Sequence, residues 1–441
     1  MVASLDSKAS SGPALSMFMI RKPFSTSHQS GSHSFAQDQH LYESTDDMIL
    51  ANTLVFGHGI FSTRGNHHNK QRKLLFPLFS PTQMRVLTPV FHDVANDLCD
   101  AIARQITQGK SQINVLEWLS RTALEFVARG VLGTSFDVHN EIEHPYSVSI
   151  KSFPRIMTFP GFIFPRFFIL PYVKDLGSPR FRRWVVDMLP WKSLHILRDM
   201  VDVMHNTSIA IFGLKKDSSA NKDQLSSEPG KGKDLMSVLC EISRHNARTV
   251  SIVSSAFFAV KANLAAAEED QLSDSELLAQ ISAQADTIIP LSKPITSIDG
   301  KPMTEIQLPR KTFVCISLNA CNRDPAIWGA DAREWRPERW LSPLPETVAN
   351  AKIPGVYSSL MTFYGGHRSC IGFKFTELEM KVVLSSLLQQ FRFALGDKKI
   401  IWKMNGINQP MAEDSEADLD KYGLPRLQLP LRVTLLSDSD S

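Results

Sequence analysis

The 441-residue chain contains few cysteines, little net charge and no apolar run long enough to cross a membrane. Its five cysteines are odd in number and widely spaced, which argues against the disulfide framework of a secreted protein, and no Cys-x-x-Cys pair offers half of a structural zinc site. Lys and Arg number 48 against 45 Asp and Glu, so the formal net charge is +3, and no stretch concentrates the basic residues. Nucleic acid is therefore excluded as an expected partner. We predict a chain that is soluble or peripherally attached to a membrane.

The first part of the chain is poor in apolar residues. Residues 1–40 are rich in Ser, His and Gln, and their one apolar piece, Leu15–Ile20, is far too short for a membrane span. A signal peptide is not expected either, because the segment lacks a proper apolar core and a small-residue cleavage site. We predict a disordered lead-in over residues 1–40 and a single domain over residues 41–441.

Apolar residues that recur at three- and four-residue steps predict several amphipathic helices. These cover Met84–Ile106, Val115–Leu132, Ser193–Lys215 and a final stretch from about Ile371 to Phe391. Strand patterns are fewer, namely a hairpin over Thr296–Val314 with Asp299–Gly300 at its turn and a strand over Leu427–Leu435. We therefore predict a mainly α fold with a minor β portion near the C-terminus.

The segment Phe153–Val173 is rich in Phe, Ile and Pro. Its four prolines exclude one continuous helix, because each lacks the N–H that an interior helical residue donates. Two interpretations remain open. The segment is either a buried irregular connection or an apolar lip at a substrate entrance or on a membrane surface.

One stretch stands apart by its chemistry: Phe363-Tyr-Gly-Gly-His-Arg-Ser-Cys-Ile-Gly372. It places Cys370 at the start of a predicted helix, where the free N–H groups of the first turn and the positive end of the helix dipole lower a thiol pKa. The thiolate is then a good metal ligand. Gly365 and Gly366 permit backbone conformations closed to other residues, so the loop can fold beneath a flat cofactor. The other four cysteines lack this setting and are expected to be small buried side chains.

The end of the same stretch completes a recognisable pattern. Gly372 lets the helix approach a cofactor with no Cβ in the way, and Arg368 offers a forked donor suited to a carboxylate. The pattern F-x-x-G-x-R-x-C-x-G resembles the haem-binding signature of the cytochrome P450 monooxygenases, with every defining position filled. The resemblance implies haem b, with Cys370 as the axial thiolate ligand of iron, Arg368 as a propionate partner and Phe363 as a ring near the sulfur. It also implies that Gly366 and Gly372 bind the cofactor. Thiolate ligation favours O–O cleavage.

Two further regions resemble the same family in the expected order. Asn322–Asp331 and Trp335–Trp340 look like its meander, where the family's equivalent of Arg339 joins an ion-pair network with a Glu-x-x-Arg helix. Upstream, His68 and Arg72 are spaced by one helical turn and present two donors on one face. By composition alone His68 is typical of a surface residue, whereas the resemblance implies that both side chains face a second haem propionate.

Part of the family pattern is missing. Glu276–Ile281, with Ser273 as its cap, looks like the start of the oxygen-side helix, and Asp286–Pro294 looks like the strand that follows the Glu-x-x-Arg helix. Few residues separate them, so we predict an internal deletion near residues 282–284. The pair Asp286-Thr287 is not the oxygen-activating acid and alcohol, because the Ile-Ile-Pro that follows cannot continue a long helix.

A second irregularity lies before this junction. The Glu-x-x-Arg pattern Glu241-Ile-Ser-Arg244 is in the wrong order for the family, and we interpret it as coincidence. It falls within residues 240–260, which interrupt what resembles one continuous family segment. We hypothesise that residues 240–260 are a translated insertion such as an unspliced intron.

The resemblance implies a haem-thiolate monooxygenase that inserts one atom of dioxygen into a small apolar organic substrate. Two electrons would come from an NADPH-dependent flavoprotein reductase that docks near Lys374, Lys381 and Arg72. Family members reside at the endoplasmic reticulum membrane. The alternative is a catalytically impaired remnant with at most weak haem binding. A weaker third interpretation is a Cys/His metal site on His367 and Cys370, which supply only half of such a site.

Overall fold

The computed structural model describes residues 17–20, 42–136, 144–157, 161–162, 165, 168–173, 176–220, 278–297, 299–351, 353–404, 408–413, 418–420 and 422–436. The hypothesised insertion at 240–260, including Glu241-Ile-Ser-Arg244 and Cys240, lies outside these residues. The chain divides into two units, each built from separate stretches. The first unit comprises Met1–Ile49, Arg64–Asn69 and Asp270–Cys370, and the second comprises Leu50–Thr63, Lys70–Glu269 and Ile371–Ser441.

Helices make up most of the described chain. In chain order the α-helices are α1 (Asp46–Phe56), α2 (Gly65–Leu75), α3 (Pro81–Thr107), α4 (Val115–Val127), α5 (Pro145–Met157), α6 (Leu170–Val173), α7 (Pro179–Met188), α8 (Lys192–Ala220), α9 (Leu318–Asn322), α10 (Pro325–Trp328), α11 (Glu346–Ala351) and α12 (Phe373–Gln390). Single turns of 3₁₀-helix cover Phe76–Phe79 and Pro337–Leu341. This composition confirms the prediction of a mainly α fold.

The strands form small sheets. They are β1 (Met17–Ile20), β2 (Tyr42–Ser44), β3 (Gln112–Asn114), β4 (Leu278–Ala283), β5 (Thr287–Thr296), β6 (Pro302–Leu308), β7 (Phe313–Ser317), β8 (Gly355–Tyr357), β9 (Leu360–Tyr364), β10 (Phe391–Leu395), β11 (Ile400–Met404), β12 (Asn408–Ala412) and β13 (Pro430–Leu435). The largest sheet has the order β1-β7-β4-β2, and a second has the order β10-β13-β3. The remaining strands pair as β5-β6, β8-β9 and β11-β12.

The core of the second unit is built on α3. This helix begins where Ser80 Oγ accepts a hydrogen bond from the Gln83 N–H, a standard N-cap. Its apolar stripe is fully buried, and the ring of Phe91 lies 4.7 Å from that of Phe126 on α4 and 4.8 Å from that of Phe375 on α12. Three of the four helices predicted from periodicity are therefore present as α3, α4 and α12, and their apolar faces pack together.

The predicted helix over Val115–Leu132 has an unexpected end. The α-helix stops at Val127, and a single π-helical turn covers Ala128–Leu132 before Gly133 closes it at φ +60°. The widened turn keeps its apolar side chains in the core, which explains why the periodicity continued to Leu132.

The four-stranded sheet of the first unit corrects two predictions. The predicted helix through Glu276–Ile281 is wrong in its described part, because Leu278–Ala283 is strand β4, antiparallel to β7 and β2. Met17–Ile20, expected within a disordered lead-in, pairs in parallel with β7 as β1. In both cases pairing with β7 outweighs local preference, since strand formation depends on the neighbours that a segment meets.

The hairpin predicted around Asp299–Gly300 is present, although its strands differ from the expected ones. Strand β5 pairs with β6, Gly300 has φ +74°, and the turn is closed by a hydrogen bond from Gly300 N to Ser297 O. Its first strand begins earlier, at Thr287, and the residues before Val314 form the separate strand β7.

The proline-rich segment does not form one helix, as predicted. Helix α5 continues through Pro154 to Met157, and among the residues described after it Leu170–Val173 form the short α6. Of the two interpretations, a buried connection is wrong for residues 168–173, because Phe168, Ile169 and Tyr172 are exposed. In the described ranges we find no helix that combines the length and apolar character needed to span a membrane.

Candidate functional site

The glycine-rich loop connects β9 to α12 in the order predicted. At Gly365 an added Cβ would lie 2.6 Å from the Pro354 carbonyl oxygen, and Gly366 has φ +103°, a conformation that favours glycine. The Ser369 N–H donates to Gly366 O at 3.0 Å, which closes a tight turn. Both glycines are thus required by the backbone itself.

Cys370 follows this turn and is separated from the first residue of α12, Phe373, by Ile371 and Gly372. It is half-buried and forms no disulfide bond. Gly372 is the N-cap, and its carbonyl accepts the Thr376 N–H. A Cβ at Gly372 would meet only the Phe79 ring, at an ordinary 3.7 Å, so packing of the described chain does not demand glycine there. Close approach to a cofactor remains the predicted reason for it.

Arg368 binds a carboxylate that sequence reasoning did not identify. Its Nη2 and Nε donate to Oε2 of Glu43 at 2.6 and 3.1 Å. The other oxygen, Oε1, accepts the Gly65 N–H at 3.2 Å and lies 3.5 Å from Nε2 of His367. Glu43 is on β2, 325 positions from Arg368, and no local pattern links the two.

The surroundings of Glu43 stabilise its charged form. Burial alone raises the pKa of this carboxyl, but the contact with His367 and the charge of Arg368 outweigh burial. They lower the pKa of Glu43 from 4.5 to about 2. The carboxylate is therefore ionised at every physiological pH.

His68 joins the same group of side chains. It is 2% exposed, so its assignment to the surface by composition is wrong, and its ring meets that of His367 edge-on at 6.0 Å between centroids. Arg72 lies one turn further along α2 and is half-buried. Phe363 is half-buried on β9.

A second residue missed by sequence reasoning supports the loop. The Asn322 side chain, at the end of α9, donates to Thr362 Oγ1 at 3.0 Å and accepts the Met361 N–H at 2.6 Å. It thereby holds β9, the strand that carries Phe363 into the loop. The resemblance placed Asn322 in the meander but assigned it no role.

Arg339 is satisfied within the meander. Its guanidinium donates to the carbonyls of Trp328 and Asp331 at 3.0 and 3.1 Å, and its Nη2 lies 3.0 Å from the Asp331 carboxylate. This carboxylate, which also binds Arg336, has a lowered pKa because of hydrogen bonds from Arg339 and Arg336. The meander thus provides its own counter-ion for an arginine that would be costly to bury unpaired.

The described residues bear on the rejected alternatives. Asp286 is exposed and its carboxylate accepts the Arg310 N–H at 2.6 Å, so it serves a turn before β5. Within the described ranges no cluster of three or more His, Cys, Asp or Glu side chains could hold a metal ion. Of the other cysteines, Cys99 is buried and Cys321 half-buried, and burial raises their pKa to about 11 and about 12.

Comparisons with known proteins agree with the fold and the loop. A family model described as cytochrome P450 matches residues 6–226 and 296–411. Cytochrome P450 monooxygenase 91 of Postia placenta is 35% identical over 452 residues, which cover 85% of this chain and 79% of that protein. Ganoderic acid synthetase CYP5150L8 of Ganoderma lucidum is 31% identical over 446 residues, or 82% and 78% of the two chains. A crystal structure of a cytochrome P450 (CYP102L1) is similar at a TM-score of 0.61 and 16% identity, over 92% of each chain.

In the described ranges, the mainly helical fold and the cysteine loop ahead of α12 are those that the resemblance to the haem-thiolate class implies. The chain belongs to the cytochrome P450 family. The relatives named above are fungal, and the general activity of the family is haem-thiolate monooxygenation.

The residues present fit the cofactor that the family implies. Haem presents carboxylates at its edge, and Arg368 already binds a carboxylate through two donors. Cys370 forms no disulfide bond and lies on a turn whose glycines leave little side-chain bulk. The donor set therefore matches both the iron and the propionates of haem.

Proposed function

We propose that this chain binds haem b with Cys370 as the axial thiolate ligand, and that it is a monooxygenase acting on a small apolar organic substrate. The observation that carries the proposal is the loop itself, in which Cys370, outside any disulfide bond, follows two conformationally required glycines and an arginine that binds a carboxylate. Bound haem would supply the iron centre at which dioxygen is activated.

The chain's own residues have distinct roles in this proposal. Arg368 and Arg72 hold the two propionates, with His68 as a further donor beside Arg72. Gly366 and Gly372 keep the backbone close to the cofactor, and Phe363 packs near the sulfur and keeps water from it. We propose that the two units belong to one haem domain.

The test is the visible spectrum of the purified, reduced protein under carbon monoxide. We expect a strongly red-shifted Soret band for the full chain and its loss in Cys370→Ser. The control is Cys321→Ser, which removes another thiol of the first unit and should leave the band unchanged. Absence of the band in the full chain would contradict the proposal.

A specific observation favours the second candidate, a catalytically impaired remnant. Where family members place the oxygen-side and Glu-x-x-Arg helices, residues 278–297 pass from β4 almost directly into β5. The alignment with Postia placenta monooxygenase 91 extends over 452 positions, which is more than the 441 residues of this chain, although only 85% of this chain is aligned. The short passage from β4 into β5 supports an internal deletion near residues 282–284, and the alignment length supports missing residues without giving their place.

The two candidates differ in turnover. With NADPH, a fungal reductase and an apolar substrate library, a competent enzyme forms oxygenated product, whereas the remnant, with at most weak haem binding, forms none. The insertion at 240–260 is tested separately by sequencing the transcript. Mature mRNA that encodes these residues cleanly would contradict an unspliced intron.

The reductase is proposed to dock on the start of α12. Lys374 and Lys381 are exposed, and both lie within 2.8 Å of the Glu377 carboxylate. Charge reversal of both lysines should slow electron transfer to the haem, and more so at low salt. The control is Lys399→Glu, an exposed lysine that pairs with Glu413.

We further propose a peripheral contact with a membrane, such as that of the endoplasmic reticulum, through α6 and α7. Tyr172, Trp184 and Met188 are 77, 57 and 67% exposed, which is unusual for large apolar side chains. Replacing Trp184 and Met188 by Ser should reduce co-sedimentation with phospholipid vesicles. Leu384→Ser, at an exposed leucine of α12, is the matched control.

A further inference from the structure

The carboxylate of Glu43 lies in a well-formed anion site. Three hydrogen bonds reach it, two from Arg368 and one from the Gly65 N–H at the first residue of α2. His367 lies against the same oxygen as Gly65. The side chains of Glu43 and Arg368 are 10 and 13% exposed, so solvent screens their attraction little. A guanidinium beside a helix N-terminus is the donor set that a carboxylate ligand requires.

Glu43 already uses the edge of Arg368 that is best suited to a ligand. The Nε and Nη2 atoms form the fork that grips planar carboxylates, and Oε2 of Glu43 accepts from both. A second carboxylate brought to this guanidinium would share its charge and lie near the charge of Glu43. Like charges at such distances repel, so the two carboxylates cannot both be bound at full strength.

The contact is with the arginine that the proposed function gives to a haem propionate. We infer that Glu43 is an internal carboxylate that holds Arg368 before haem binds and competes with the propionate for it, so that this acid weakens haem affinity. The inference rests on the proposed haem binding.

The test is a haem titration of the full chain, followed by Soret absorbance and by quenching of tryptophan fluorescence. Glu43→Gln removes the charge but keeps the size of the side chain, and it should tighten haem binding about three- to tenfold. The control is Asp46→Asn, which removes a carboxylate that pairs with Arg64 in the same unit and should leave the affinity unchanged. Circular dichroism of each variant verifies folding.

A double-mutant cycle makes the inference specific to Arg368. Arg368→Gln should weaken haem binding. Adding Glu43→Gln to this variant should not raise the haem affinity, because the guanidinium for which Glu43 and the propionate compete is absent. An equal gain with and without Arg368 would overturn the inference.

The remaining outcomes separate the inference from the proposed function. If the full chain binds haem and Glu43→Gln binds it equally or more weakly, the inference alone is overturned. A weaker affinity would show that Glu43 positions Arg368 for the cofactor instead. If neither the full chain nor any variant takes up haem, both the proposed function and the inference are overturned.

Discussion

Two buried glutamates each hold an arginine in this chain, and the partners differ in their separation along the sequence. Glu125 on α4 is fully buried and binds Arg129, one helical turn away, at 2.6 Å. Glu43 on β2 binds Arg368 at the same distance across 325 positions. The first pair needs only α4 and the π-helical turn that follows it, whereas the second requires the sheet and the cysteine loop to be assembled together.

The remaining partners of the two carboxylates show the same contrast. Glu125 also accepts from Ser135 Oγ and from the Phe136 N–H at 3.1 Å, so it organises the chain that follows its own helix. Glu43 accepts from a helix start and from the loop that carries Cys370. The local pair therefore serves folding, and the distant pair serves the candidate site.

The largest expected effect comes from Glu125→Ala, which removes the carboxylate of the local pair. The variant leaves Arg129 with only Asp97 among the described ion pairs, at 2.9 Å, and removes the acceptor for Ser135 and Phe136. We expect a loss of about 3 kcal/mol in the free energy of unfolding, because buried donors remain without an acceptor. Urea denaturation measures it.

The control for this variant lies on the same helix. Glu117 pairs with Arg121 at 2.6 Å but is half exposed, so Glu117→Ala should lose no more than about 0.5 kcal/mol. Equal losses in the two variants would show that burial does not distinguish them.

The distant pair is tested by Glu43→Gln in the haem-free protein. Its lowered pKa means that ionised Glu43 stabilises the fold above its ordinary value of 4.5 and that this contribution is lost as the pH falls towards about 2. We expect a loss of about 1.5 kcal/mol at pH 7 relative to the unaltered chain. Urea titrations at several pH values should show the difference shrinking below pH 4.5.

Asp46→Asn is the control variant for this prediction. Its carboxylate pairs with Arg64 but is 73% exposed, so its removal should change stability little at any of these pH values. A stability difference for Glu43→Gln that did not vary with pH would contradict the electrostatic account.

A third buried glutamate, Glu379, differs from Glu43 and Glu125 because it has no arginine among its described partners. Burial raises the pKa of Glu379 on α12 well above 4.5, and its Oε2 finds no hydrogen-bond partner in the described ranges. A raised pKa gives stability that is present below 4.5 and lost as the pH rises through the folded value. Glu379→Gln should therefore stabilise the protein by about 1 kcal/mol at pH 7.

Thermal unfolding between pH 5 and pH 8 measures the gain, which should diminish towards the acid end. Glu377→Gln on the same helix removes a carboxylate held by Lys374 and Lys381, and it should be neutral or slightly destabilising. A destabilised Glu379→Gln would indicate that the acid is ionised and paired.

Sequence reasoning predicted elements well where the interactions are local. The helix at Pro81–Thr107 and the one at Phe373–Gln390 follow from apolar periodicity, and the turn at Gly300 follows from its residue pair. It was wrong at Leu278–Ala283, where a helical pattern of apolar residues also suits a strand between two neighbours. Nothing within those six residues reports the presence of β7.

The candidate site divides in the same way. Cys370, Arg368 and the two turn glycines are all contained in ten consecutive residues, so they could be proposed as one site from the residue pattern and the family it resembles. Glu43 and the burial of His68 could not, because they depend on which distant segments pack against the loop.

By itself, the sequence determined the family, the thiolate candidate and the helices whose apolar faces repeat along the chain. Only the tertiary structure decided that Arg368 holds Glu43, that Arg339 finds Asp331 and that Leu278–Ala283 is a strand. The physical reason is the distance along the chain over which each interaction acts. Dipoles, glycine conformations and helical periodicity act over a few residues, whereas ion pairs and strand pairing depend on neighbours that only folding brings together.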